Sequence, residues 1–281
     1  MPANTGGSAS TRSSRAVRRG RGGRPVPLIA VIGGCGGAGA STLAVSLAVT
    51  ALGLGRRAIL FDADPLGGGL ESLVALGTVG VAADGPVRTA RAWPHGVDPP
   101  EQQERPPGRG RAQPDLALVT WGGTEGERIP VAAMRNALRV LRDTTELVVV
   151  DLPRVVDDST QLVLAEATHT LVIAPVSERA AVSTARLLPK LAVVGPRPQI
   201  VARLPSRDEL TAREFADLLD APLAGIVRPA RSSLPKRASI RQLGGRSSVS
   251  LAGFSRRLVE RCGLDPAAAA AERPVRARVT S

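Results

Sequence analysis

Short runs of continuous apolar residues recur along the chain, each followed by a stretch with helical spacing of apolar positions. Runs of four to six apolar residues bounded by turn signals read as buried strands, because a strand covered on both faces shows no alternation. This pattern predicts strands at residues 28–32, 57–61, 116–121, 147–150, 170–174, 199–204 and 223–227. It predicts helices at residues 41–52, 70–76, 131–142, 159–167, 179–194, 211–219 and 250–262. Fully apolar strands alternating with helices imply an α/β fold: a mostly parallel, doubly wound sheet with helices on both faces. Residues 84–114, rich in Pro, Gly, Arg and Gln, break the alternation and read as an irregular insert.

Composition sharpens this outline. Apolar residues make up 43% of the 281, and aromatics only 2%, so Val, Leu, Ala and Ile must build the core. The net charge is +12, and it sits at the ends. Residues 1–27 carry six Arg and no acid and read as a disordered basic tail. Residues 264–281 read as a frayed C-terminal tail, leaving one domain over 28–263. Basic ends favour anionic partners, so nonspecific DNA contact and peripheral contact with an anionic membrane surface are expectations, with solvated tails that only aid solubility as the equal alternative. Two cysteines, Cys35 and Cys262, form neither metal spacing nor a disulfide framework, which points to a reducing cytoplasm. Residues 25–55 lack charge and follow a basic stretch, as a secretory leader would, but the glycine cluster within them makes a continuous helix poor.

That cluster carries the chemistry. Gly33-Gly34-Cys35-Gly36-Gly37-Ala38-Gly39-Ala40-Ser41-Thr42 lies between a predicted strand and a predicted helix. In a phosphate-binding loop, glycines let successive backbone N–H groups cradle an anion at a helix N-terminus. The spacing G-x-x-x-x-G-K-[ST] is met by Gly34, Gly39 and Ser41, but Ala40 stands at the lysine position. Gly34, Gly36, Gly37, Ala38, Gly39, Ala40, Ser41 and Thr42 are therefore candidate nucleotide-binding residues. Ser41 and Asp151, the latter ending the apolar run 147–150, are candidate Mg²⁺ holders, Asp151 through water. Asp62-Ala63-Asp64-Pro65 closes the second strand, with Asp64 facing the phosphates and Asp62 as the candidate catalytic group. A rival reading takes Gly34, Gly36 and Gly39 as a G-x-G-x-x-G dinucleotide fingerprint with Asp62 as its ribose acid, implying an NAD(P)-dependent oxidoreductase. It leaves Ser41, Thr42, Asp64 and Asp151 without a role.

At these residues the sequence resembles the MinD/ParA family of deviant Walker A P-loop ATPases, whose loop reads K-G-G-x-G-K-[ST]. The segments GGAGASTLA (36–44), VVVDLPR (148–154) and APLAGIVRP (221–229) resemble its actinobacterial septum site-determining branch, also described as CpaE-like or TadZ-like. The resemblance implies ATP or ADP with Mg²⁺ as cofactor and switching by homodimerisation. It implies a role in cell division or in localising a pilus or secretion apparatus, in the cytoplasm or at the inner face of the plasma membrane. This sequence departs from that pattern. Cys35 and Ala40 replace both loop lysines, so weak or absent hydrolysis is expected: a pseudo-ATPase switch, or a nucleotide-free scaffold. Residues 200–203 read Ile-Val-Ala-Arg where many relatives carry an adenine-contacting Asn. Many also carry a receiver-like N-terminal domain where this chain has a basic stretch of 27 residues.

Other residues receive modest readings. Arg154 is read as a surface arginine that could replace some of the lost loop charge. Asp157 and Asp158 are expected to cap a helix. The last helix has one apolar face, expected to pack on the sheet, with lipid contact as the alternative. His95 and His169 have no partner at ligand spacing, and Trp93 and Trp121 read as packing residues.

Overall fold

The computed structural model describes residues 26–64, 70, 87–93, 96–97, 116–121, 128–204, 210–228 and 250–262. The proposed tails and most of the predicted helix at 70–76 lie outside these residues; Leu70 alone is described, helical and buried. One nine-stranded sheet organises the described residues, in the order β4-β3-β5-β2-β6-β1-β7-β8-β9. The strands are β1 (Leu28–Gly33), β2 (Ala58–Asp62), β3 (Val87–Trp93), β4 (Gly96–Val97), β5 (Leu116–Trp121), β6 (Leu147–Leu152), β7 (His169–Pro175), β8 (Gln199–Arg203) and β9 (Leu223–Val227). Every pairing is parallel except β3 with β4 at one edge.

The helices are α1 (Ala40–Gly53), α2 (Val131–Thr144), α3 (Asp158–Glu166), α4 (Glu178–Ala192), α5 (Ala212–Leu218) and α6 (Leu251–Arg261). Period-two alternation divides each central strand between two cores. In β1, Leu28, Ala30 and Ile32 join the core shared with α2, α3, α4 and α5. Ile29 and Val31 face the other way, into the core of α1 and α6. β1 and β6 are buried at every position, as continuous apolar runs require. α1 carries no charged residue along its length, and α6 covers its outer side. Between them, Ser46 and Ser255 share a buried hydrogen bond of 2.9 Å.

The stretch expected to be an irregular insert needs correction. Residues 87–93 pair in parallel with β5 over six positions, extending the sheet. Asp157 accepts a hydrogen bond from the Thr160 N–H and caps α3, as expected of it. The apolar face of α6 is packed: Phe254, Leu258 and Val259 are buried against α1 and β9.

Candidate functional site: a glycine loop beside two aspartates

The sheet order decides what the glycine loop faces. β1 has β6 on one side and β7 on the other, so β2 is not its neighbour. A dinucleotide fold places the second strand directly beside the first; here β6 intervenes, against the dinucleotide reading. β6 brings Asp151 next to the loop strand, in register with Val31 of β1 and Asp62 of β2. Asp62, the last residue of β2, and Asp151, the last but one of β6, thus lie side by side at the carboxyl edge of the sheet, where open α/β sheets take their ligands.

The loop's own geometry follows from its glycines. Gly37 (φ 67°) and Gly39 (φ 100°) occupy left-handed conformations that cost a side-chain-bearing residue energy. Gly39 precedes α1, which has no side-chain cap and no acid in its first turn. The helix N-terminus is therefore open to an anion, with its dipole favouring negative charge. Gly34 is set by space instead. A Cβ there would collide with the Thr184 hydroxyl and lie 3.0 Å from the Ala174 methyl. The loop is also tied down from outside. Gly34 N–H donates to the Ile173 carbonyl at 2.8 Å, and the Ser183 hydroxyl donates to the Gly34 carbonyl at 2.8 Å. Arg154 donates to Ser183 Oγ at 2.8 Å, and Arg203 donates to the Gly37 carbonyl at 3.4 Å. Loop carbonyls held by these donors are kept from facing a bound anion.

The acids are buried and unevenly matched. Asp151 is 3% exposed and Asp62 is 8% exposed. Burial pushes the Asp151 carboxyl up to about 7, the Asp62 and Asp64 charges push the same way, and a hydrogen bond with the Ser41 side chain opposes them. Asp62 is fixed by two backbone donors, Asp64 N–H at 3.2 Å and Leu70 N–H at 3.0 Å. The structure thus brings together Ser41, Asp62, Asp64 and Asp151 with the loop. Thr42, the third residue of α1, is exposed at the helix N-terminus.

Two buried carboxylates beside an open helix N-terminus fit a divalent cation carried by phosphate. Among the described residues no three His, Cys, Asp or Glu side chains form a metal cluster. Mg²⁺ takes one or two carboxylates and draws its other ligands from phosphate and water, so the donor set suits it. What the loop lacks is charge: Cys35 packs partly against the core, and Ala40 carries only a methyl.

Sequence reasoning missed the outer wall of the loop. Arg179, Ser183, Arg186 and Lys190 recur at i, i+4, i+7 and i+11 along α4, one face of a helix. That polar stripe could have been seen as aimed at the loop, but spacing alone reads it as a solvated face. No signal marked Arg203 except its place at the end of β8.

No protein-family model matches the chain. Two uncharacterized proteins of Mycobacterium tuberculosis, from strains H37Rv and CDC 1551, are each 34% identical to it over 236 residues. The alignment takes in 78% of this chain, which spans 59% of the length of those relatives. Among solved structures, a ParA family ATPase from Chlorobium tepidum superposes with a TM-score of 0.58 at 12% identity, covering 84% of this chain and 99% of that one. The MinD cell division protein of Aquifex aeolicus gives 0.58 at 16% identity, covering 83% and 97%. The septum site-determining protein MinD of Pyrococcus horikoshii, complexed with Mg-ADP, gives 0.57 at 11% identity, covering 85% and 98%. With its loop strand flanked by β6 and β7 and its acids at the sheet's carboxyl edge, the chain has the α/β P-loop fold of the MinD and ParA ATPases.

Proposed function

We propose that the chain is a nucleotide-binding switch of the MinD/ParA kind with little or no turnover, acting in cell division or in placing a pilus or secretion apparatus. One observation carries the reading. Ser41, at the start of α1, hydrogen-bonds buried Asp151 at the end of β6, directly beneath an uncapped, glycine-built helix N-terminus. A structural neighbour that holds Mg-ADP on the same fold supports it.

Mg²⁺ would neutralise phosphate charge at this edge. Ser41 and Asp151 would hold it, Asp151 through water, and Asp64 would face the phosphates. The backbone of residues 34–42 would cradle them, with Thr42 beside the first turn. Asp62, gripped by two backbone N–H groups, would be the catalytic group, orienting a water. The missing lysines set the limit. A charge-assisted contact to phosphate is worth on the order of 1.5–3 kcal/mol, so its loss weakens binding by about ten- to a hundredfold. Hydrolysis suffers more, because phosphoryl transfer is catalysed mainly by electrostatic stabilisation. Nucleotide-linked homodimerisation is the switching mode proposed, with division or pilus and secretion proteins as partners. The charge missing from positions 35 and 40 also favours a second reading, a scaffold on the same fold that holds no nucleotide.

Thermal melts with Mg-ATP, Mg-ADP and NAD separate these. A ligand of the folded state raises the melting temperature by mass action. Mg-ATP and Mg-ADP should raise it, NAD should not, and Asp151→Asn should reduce the nucleotide shift. No shift with either nucleotide at millimolar concentration favours the scaffold. A clear Mg²⁺-dependent ATPase rate, abolished by Asp62→Ala, would sink the low-turnover reading.

A further inference from the structure

Beside the glycine loop lies a groove of about 770 Å³, bounded by Cys35 and Gly36 on one side and by α4 on the other. Four cationic side chains line it: Arg154 from the turn after β6, and Arg179, Arg186 and Lys190 from α4. Among the described residues no acid lines it. None of the four cations pairs with a carboxylate among the described residues, whereas Arg56, Arg142, Arg197 and Arg256 elsewhere all do. Like charges gathered in one concavity focus a positive potential and repel one another until an anion enters. Their placement is built rather than incidental. Arg154 is held by Ser183, which in turn holds the loop through the Gly34 carbonyl. Gly36 leaves the loop side open, since a Cβ there would meet nothing within 4 Å.

We infer that this groove is a binding site for an oligophosphate, outside the cradle of the loop itself. The volume falls in the range of small-ligand pockets. Four cations call for an anion of several charges, and guanidinium groups match phosphate oxygens in pairs. The Ser177 hydroxyl, which also lines the groove and accepts from the Ala180 N–H, can donate its proton to a phosphate oxygen. The positive charge that Cys35 and Ala40 removed from the loop thus stands on the adjacent wall. The same chemistry has two sources: the terminal phosphate of a nucleotide seated in the loop, or a free oligophosphate.

Calorimetric titration of the full chain with sodium tripolyphosphate tests the site. The natural sequence should bind it, and Arg179→Gln with Arg186→Gln should weaken binding about tenfold or more. Arg179→Lys with Arg186→Lys should retain most of the affinity. Arg135→Gln with Arg139→Gln, on exposed positions of α2, should change it little. Equal loss in both Gln pairs, no loss in the α4 pair, or no binding at all overturns the proposal. Two further arms identify the source. If the groove holds a nucleotide's last phosphate, the α4 pair weakens ATP but not ADP. If it holds a free ligand, tripolyphosphate still binds ADP-saturated protein. Tripolyphosphate bound through α4 with no nucleotide binding anywhere would remove the nucleotide switch and leave the groove standing.

Discussion

Asp151 shows how one buried residue ties stability to pH and, in the proposed function, to binding. Its carboxyl is raised to about 7, chiefly by burial. A carboxyl raised in the folded state stabilises the fold below its ordinary pKa, and that contribution is lost as pH rises toward 7. Each tenfold difference in proton affinity between folded and unfolded chain corresponds to about 1.4 kcal/mol. Without Mg²⁺, the melting temperature of Asp151→Asn relative to the natural sequence should therefore be higher at pH 8 than at pH 5. An equal difference at both values would show that Asp151 titrates as an ordinary carboxylate. The proposed Mg²⁺-nucleotide binding would have the opposite demand, needing the ionised form, and should strengthen as pH rises through 7. Gly34 makes a steric claim at the same scale. Gly34→Ala would press its methyl on Thr184 and Ala174 and should cost about 1–3 kcal/mol in urea unfolding. Cys262 is held near 11 by burial, so at pH 8 an alkylating reagent should label Cys35, beside the open groove, first. Mass spectrometry of partly labelled protein reads the order.

At the scale of elements, α1 and α6 form the telling pair. The apolar face of α6 was open to two readings in sequence, and its burial on α1 and β9 gives it a partner within the chain. Ser46 and Ser255 join the two helices in a dry contact. Ser255→Ala should cost about 1–2 kcal/mol by leaving Ser46 unpaired, while the double alanine variant should cost less than the sum of the singles. Additive losses would mean the pair is not coupled. The buried strands were legible because continuous apolar runs leave little else to be: β5 and β9 begin and end where the pattern placed them. β3 was not legible. Val87-Arg-Thr-Ala-Arg-Ala-Trp93 sets arginines inside a strand and is flanked by loop-like composition, so its pairing with β5 could be found only in three dimensions.

For the whole molecule, the sequence placed the loop and both acids at strand ends but not their adjacency. Local patterning says nothing of strand order, and the lateral pairing of Asp62 with Asp151 depends on β6 entering between β1 and β2. The α4 wall was hidden for a related reason: a basic stripe looks the same whether it meets water or a neighbouring loop. Removing residues 250–281 uncovers α1, because Phe254, Leu258 and Val259 leave with α6. At about 1.5–3 kcal/mol for each buried side chain, that truncation should cost several kcal/mol in chemical denaturation.

The same strand order has a consequence for how the chain comes into being. β1 is made before β6 and β7, so both its edges wait for partners drawn from residues 147–152 and 169–175. Until those leave the ribosome, the loop strand has no sheet to join and exposes an apolar ribbon with both edges bare. The glycine loop is thus synthesised before both of the strands that hold it in the sheet. Translation must run past β6 before the two aspartates can stand side by side, and past β7 before the loop strand is flanked on both edges.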